Sequence, residues 1–187
     1  MLVIKVNVMF YYTSDLHFNH SKIMQYCNRP FPNVEEMNKA LIVNWNSRVQ
    51  NKDTVFILGD FGFLDGEQAN NLLKQLKGKK VLIVGNHDIF LRKKGFNENL
   101  FEEIRAIKNV RDPSINNNLI VLCHYPMAVW DRKDYGTYHF YGHVHNNTIE
   151  RHPYLLGAEY TNAFNVGTDC HNYFPVTAQE IINSGAK

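Results

Sequence analysis

Residues Val81–Asp88 read VLIVGNHD: four apolar residues, then a glycine, an amide, an imidazole and a carboxylate. The apolar half is too short for a helix and suits a buried strand. The polar half has no place in a buried strand, so the strand ends at Gly85 and delivers Asn86, His87 and Asp88 at its carboxyl end. Working upstream, EQANNLLKQL (67–76) has helical spacing and DTVFILGD (53–60) is again a short apolar strand ending in a glycine and a carboxylate. The alternation of strand, helix and strand predicts an α/β sheet that is largely parallel in this half of the chain.

The same pattern extends in both directions. Val8 to Thr13 reads as a β-branched and aromatic strand running into SDLHFNH (14–20). Asn33 followed by Glu36 forms a near capping box for VEEMNKALIVNWNSRV (34–49), whose Met37, Leu41 and Trp45 recur at helical spacing. Downstream, IRAIKNV (104–110), the turn-forming INNN and LIVLCHYP (119–126) predict a hairpin. TYHFYGHVH (137–145) and AFNVGTD (163–169) add short strands, and a last helix over Ala178 to Asn183 is capped by Thr177 with Glu180.

Composition bounds what these elements build. With 187 residues, 44% apolar and 13% aromatic, the chain reads as one globular domain over residues 1–187, with residues 1–8 as an N-terminal extension or edge strand and Met9 as an alternative start. No stretch reaches the roughly 18 uncharged apolar residues of a membrane span, and the N-terminus has no secretory signal pattern, so a cytoplasmic protein is expected. Cys27, Cys123 and Cys170 are odd in number and widely spaced, hence reduced thiols rather than a disulfide framework or a cysteine zinc site. A net charge of +2 does not demand a polyanionic partner, and KGKK (77–80) and RKK (92–94) read as solvated clusters.

Chemistry-bearing residues gather where strands give way to loops: Asp15 and His17, Asp60, Asn86 with His87 and Asp88, His124, then His143 and His145. In open α/β sheets ligands bind beyond the carboxyl ends of strands, so these loops are expected to converge. Individually the pieces are weak, since D-x-H and G-D are common turns and a lone histidine after a strand is usually a satisfied core group. In ordered combination they point to a metal site. Imidazole nitrogens, carboxylates and an amide oxygen without thiolate suit two divalent ions from among Mn, Fe, Zn, Ni and Co. Asp60 is the natural bridging carboxylate. Two such ions suit in-line displacement at phosphorus. His87 is placed to give the leaving group its proton, and Asp88 to orient that ring.

The ordered set D-x-H, G-D, G-N-H-D, H and G-H-x-H resembles the calcineurin-like metallophosphoesterase superfamily, in particular its small single-domain bacterial and phage-type members. The resemblance implies a four-layer αββα sandwich, two mixed β-sheets packed face to face with helices outside. It also implies one metal held by Asp15, His17, Asp60 and His145, and a second held by Asp60, Asn86, His124 and His143, with His87 contacting the phosphate and Asp88 behind it. Gly85 is expected to serve the tight turn. Beside this pattern, His20 either lines the mouth of the site or caps the helix beginning near Ser21, and Arg29, in a loop before Pro30, is either a solvated side chain or a bidentate clamp on a phosphate.

The leading expectation is therefore a phosphoesterase acting on a small mono- or diester. A nuclease of the same chemistry is the runner-up, since nucleic acid is not indicated by the charge. A non-catalytic scaffold stands third, because every motif position is filled. Substrate specificity falls to loops 88–102 and 125–138, which carry no motif.

Overall fold

The computed structural model describes residues 8–146, 155 and 160–187. Of the expected N-terminal extension over residues 1–8, residues 1–7 lie outside the described residues. Two four-stranded sheets carry the fold. The first runs in the order β1 (Phe10–Thr13), β2 (Thr54–Ile57), β3 (Lys79–Ile83), β4 (Glu103–Arg105), every pair parallel. The second runs β5 (Ile107–Asp112), β6 (Asn118–Cys123), β7 (Tyr138–Tyr141), β8 (Ala163–Asn165), where β5 and β6 are antiparallel and the rest parallel. The helices are the short α1 (Ile23–Tyr26), α2 (Val34–Arg48), α3 (Gly66–Gln75) and α4 (Ala178–Ser184).

Side chains alternate across a strand, and this sorts the core into layers. On one face of the first sheet Tyr11, Val55, Ile57 and Leu82 pack with Met37, Leu41 and Trp45 of α2 and with Ala69 and Leu73 of α3. On the other face Tyr12, Phe56, Val81 and Ile83 meet Ile120, Leu122, Phe140 and Phe164 of the second sheet, and α4 adds Ala178 and Ile181. Strands buried on both faces are why these segments read as unbroken apolar runs. The far face of the second sheet, with Val121, Tyr141 and Ala163, lies under Trp130, Val144, Leu155 and Tyr160. Each Leu- or Phe-sized side chain so buried contributes about 1.5–3 kcal/mol.

The predicted caps are formed. Asn33 Oδ1 accepts from the Glu36 N–H, and Thr177 with Glu180 makes a reciprocal capping box. Asp65 and Gln68 make another at the start of α3, where Glu67 had been the first residue assigned to the helix. The segment IRAIKNV departs from its reading as one hairpin arm. It divides at Ala106: Glu103–Arg105 closes the first sheet, and Ile107–Asp112 opens the second. Periodicity cannot show this, because both pieces are extended and only their partners differ. Across the sheet interface the Tyr12 hydroxyl donates to Asp112 Oδ2 at 2.9 Å, and burial followed by the charge of Asp112 pushes the phenol well above its ordinary range. In the basic cluster KGKK, Lys80 is buried rather than solvated, its Nζ donating to Leu76 O and Gly78 O at 2.8 Å each.

Candidate metal centre

Because β1, β2 and β3 are parallel, their carboxyl ends lie side by side, and the ends of β6 and β7 meet them across the sheet interface. The Asp15 carboxylate accepts the His143 N–H at 2.9 Å, and Ser14 pairs with Gly167 in a bridge that ties the first sheet to the loop after β8. Asp15, His17, Asp60, Asn86, His124, His143 and His145 are thereby brought around one cleft, and His20 and His87 stand on its wall. His20 lines the cleft, its Nδ1 3.4 Å from His17 Nδ1.

The backbone reaches this arrangement through strained conformations. Asp15, His17, Asp60, His143 and His145 all have positive φ, between 52° and 72°. The left-handed region costs a non-glycine residue about 1–2 kcal/mol, and five such costs in one cleft mean that the surrounding structure holds these side chains against local preference. The bend also explains how His143 and His145, two residues apart, face one cavity. Close approach does the rest. A Cβ on Gly142 would stand 1.9 Å from Ser14 Oγ and 2.4 Å from Asp15 Oδ2. A Cβ on Gly85 would stand 2.4 Å from Asp60 Oδ1, so Gly85 is required by proximity to Asp60 and not, as expected from the sequence, by the turn itself.

Hydrogen bonds to the outer nitrogens fix which ring atoms face inward. His124 Nδ1 donates to Leu58 O at 2.7 Å, leaving Nε2 with its lone pair directed at Asn86 Oδ1 (3.0 Å) and Asp60 Oδ1 (3.6 Å). His143 Nδ1 lies 3.1 Å from the same amide oxygen. His17 Nε2 is buried, has no hydrogen-bond partner, and lies 3.6 Å from Asp60 Oδ2. His145 Nε2 lies 3.9 Å from Asp15 Oδ1 while its Nδ1 is held by Asp169. At His124 an acceptor nitrogen thus faces acceptor oxygens, and His17 Nε2 is buried without a partner, which is the arrangement a cation completes. Asp15, His17 and His145 can place one ligand atom each within 4.8 Å of one another, and so can Asp15, Asp60 and His124. The donor set is nitrogen and oxygen, and it fits divalent ions.

Burial dominates the electrostatics of the cleft. Burial drives the His17 imidazole far below its usual range, with the neighbouring His145 and Arg29 adding to the effect. Burial raises the Asp60 carboxyl, and Asp15 raises it further, against the lowering effect of His124. Burial lowers His145 also, but its hydrogen bond to Asp169 outweighs this and lifts it to about 10.

Two expected roles are not found. Arg29 does not reach the cleft as a phosphate clamp. It is buried, its Nε and Nη2 bound to Asp169 at 2.7 and 2.9 Å and its other N–H groups turned to the carbonyls of Asp15 and Leu16 and to Met37 Sδ. Its charge is spent on a carboxylate and on the main chain that carries the first ligands. Asp88 does not orient the His87 ring. Its carboxylate accepts the N–H groups of Gly85, Asp60 and Phe61 at 2.7, 3.1 and 2.7 Å, and so it pins two strand-end loops to each other. His87 is instead positioned by its own N–H, which donates to Asp60 Oδ1 at 2.8 Å, and by its ring contact with Phe63.

Asp169, at the end of the stretch AFNVGTD that reads as a strand, is a site residue that the sequence reading does not include. It lies beyond β8 in a single helical turn, Thr168–Cys170, and reaches the site through His145 and through Arg29. The glycine–x–carboxylate ending Gly167-Thr168-Asp169 was its signal, one residue longer than the glycine–carboxylate pair that marks Asp60.

A family model described as the calcineurin-like phosphoesterase superfamily domain matches residues 9–179. Among curated proteins, the chain is 37% identical over 174 residues to the uncharacterized protein MJ1445 of Methanocaldococcus jannaschii, covering 92% of this chain and 88% of that one. It is 30% identical over 163 residues to the Gene 66 protein of Mycobacterium phage L5, covering 74% and 78% respectively. Among solved structures, a protein of unknown function, AQ665 from Aquifex aeolicus, superposes with a TM-score of 0.69 at 23% identity, over 93% of this chain and 97% of that one, and shares the fold.

Proposed function

The chain belongs to the calcineurin-like phosphoesterase superfamily, and from that premise we propose that it is a dinuclear metal-dependent phosphoesterase acting on a small phosphomonoester or phosphodiester. Membership implies metal-dependent phosphoester hydrolysis. The observation that carries the dinuclear reading is Asp60, whose Oδ2 faces His17 Nε2 and whose Oδ1 faces His124 Nε2, each at 3.6 Å. One carboxylate presenting its oxygens to two separate imidazoles is the geometry of a bridge.

In this reading Asp15, His17, Asp60 and His145 hold one divalent ion, and Asp60, Asn86, His124 and His143 hold the other. Such a pair of ions, when bound, polarises the phosphoryl oxygens and lets water act as a nucleophile at neutral pH. The chain's own part is positional and acid–base. Asn86 and His143 bound the exposed side of the cleft, where a phosphate enters. His87, half-buried and outside both ligand sets, contacts the phosphoryl group, and a ring nitrogen gives a proton to the departing oxygen. Asp88 contributes by holding the loop from which His87 projects. No described helix is long and apolar enough to cross a membrane, and the three cysteines are unpaired, which supports placing the enzyme in the cytosol.

A panel of phosphomonoesters and diesters, assayed with Mn, Fe, Zn, Ni and Co after chelation, tests this. Turnover should vanish on chelation and return with at least one of these ions. A chain that binds metal but hydrolyses no ester in the panel would be a scaffold.

A further inference from the structure

The cleft has a second part. Beside the metal-facing groups, and in contact with His17, its lining includes His20, Ile23, Tyr26, Cys27 and Phe63, in a cavity of about 580 Å³. Phe63 and His20 lie ring on ring, centroids 4.1 Å apart and 32° from parallel, and the Tyr26 ring meets His20 edge-on at 6.3 Å. Phe63 is half-buried, but Tyr26 is 60% exposed, a large aromatic surface left in water at the rim of a polar site. His87 adjoins both groups, with centroids 5.7 Å from His17 and 5.0 Å from Phe63.

From this we infer that the wall formed by His20, Tyr26 and Phe63 is a subsite for a planar aromatic group carried on the leaving side of the phosphoester. The inference rests on the phosphoesterase reading, since that reading puts phosphorus at the metal end and the departing oxygen beside His87. A group leaving past His87 passes directly onto the aromatic wall. A flat ring covering Tyr26 removes apolar surface from water and gains ring contacts, which are tolerant of which ring is presented. The charge of the wall agrees. No lysine or arginine lines the cleft among the described residues, and the nearby buried Arg29 is committed to Asp169. A substrate with further phosphates would find no cation to pair with on this side, whereas an uncharged planar group needs none. Such a group is supplied either by a nucleoside or by a simple aryl ester.

Binding of phosphonate analogues, which cannot be hydrolysed, separates the subsite from the chemistry. Calorimetric titration of the Mn²⁺-loaded chain should give about tenfold tighter binding for phenylphosphonate, for the phosphonate analogue of adenosine monophosphate, or for both, than for methylphosphonate. Preference for the nucleotide analogue over phenylphosphonate identifies a nucleoside, and the reverse identifies an aryl ester. Tyr26→Ala, at an exposed position, should abolish the preference while leaving methylphosphonate affinity unchanged. Equal affinities for all the analogues in the parent chain, or a preference that survives both Tyr26→Ala and Phe63→Leu, would overturn the subsite. Failure of the ester panel with the affinity preference intact would instead count against the phosphoesterase reading alone.

Discussion

His145 Nδ1 lies 2.8 Å from Asp169 Oδ2, and the same carboxylate receives Arg29 through both of its oxygens. Asp169 thereby fixes the His145 ring so that Nε2 faces Asp15, and Arg29 extends the support to the main chain at Asp15 and Leu16. A carboxylate behind a ligating imidazole sets its tautomer and orientation and raises its basicity.

Asp169→Asn should therefore weaken metal binding by about 10- to 100-fold, the usual cost of losing such a partner. The asparagine still accepts one hydrogen bond from Arg29 but leaves the buried guanidinium without its counter-charge, so stability falls as well and the titration is made under conditions where the variant is folded. Titration of the chelated protein with Mn²⁺ reads the change, and an unaltered affinity would show that His145 needs no help from Asp169.

For Arg29 the expected phenotype is instability. The Arg29 and Asp169 side chains are both fully inaccessible, and removing one partner of a buried pair leaves the other uncompensated at a cost of about 3–5 kcal/mol. Arg29→Met should lower the urea midpoint accordingly and leave KM little changed under conditions where the variant is folded. A variant of normal stability with a raised KM would restore the phosphate-clamp role.

His87 lies outside both ligand sets, so His87→Ala should retain metal. A general acid contributes about 10² to 10⁴ in rate, and turnover of an ester with a poor leaving group should fall by that order. A nitrophenyl ester, whose leaving group departs with little need of a proton, should lose less. Equal losses on the two esters would mean that His87 positions phosphate without donating a proton, and loss of bound metal would make it a ligand.

Acid sensitivity should reside partly in His139, away from the cleft. Its Nδ1 donates to Val121 O at 2.9 Å and its Nε2 accepts the Met127 N–H at 3.1 Å, so the ring is held neutral, and burial pushes it down to about 4. The unfolded chain titrates this imidazole near 6.5 and binds the proton first as pH falls. The stability is thus fully present above about pH 6.5 and is lost as pH falls through 4, a span of about 2.5 units or about 3 kcal/mol. Urea midpoints of metal-free protein at pH 7 and pH 4 should diverge less for His139→Gln than for the parent. Identical divergence would rule His139 out.

Much of this protein is legible in its sequence because local rules decide it. Asn33 and Thr177 cap helices through neighbours three residues away, and GNHD must leave a strand because three polar side chains in a row do not fit a buried one. The set of candidate ligands follows from the repeated placement of Asp and His at strand ends. What the sequence does not carry are relationships between partners distant along the chain. Whether Glu103–Arg105 joins the sheet of Ile107–Asp112 depends on which backbone lies alongside, and both pieces are equally extended. Arg29 in a loop looks solvated until Asp169, 140 residues away, accepts its charge. Asp88 follows His87 by one residue, yet its carboxylate is claimed by the N–H groups of Asp60 and Phe61 from another strand end. In each case burial makes an unpaired polar group costly, so the nearest group in space takes the bond, and nearness in space is set only when the two sheets pack.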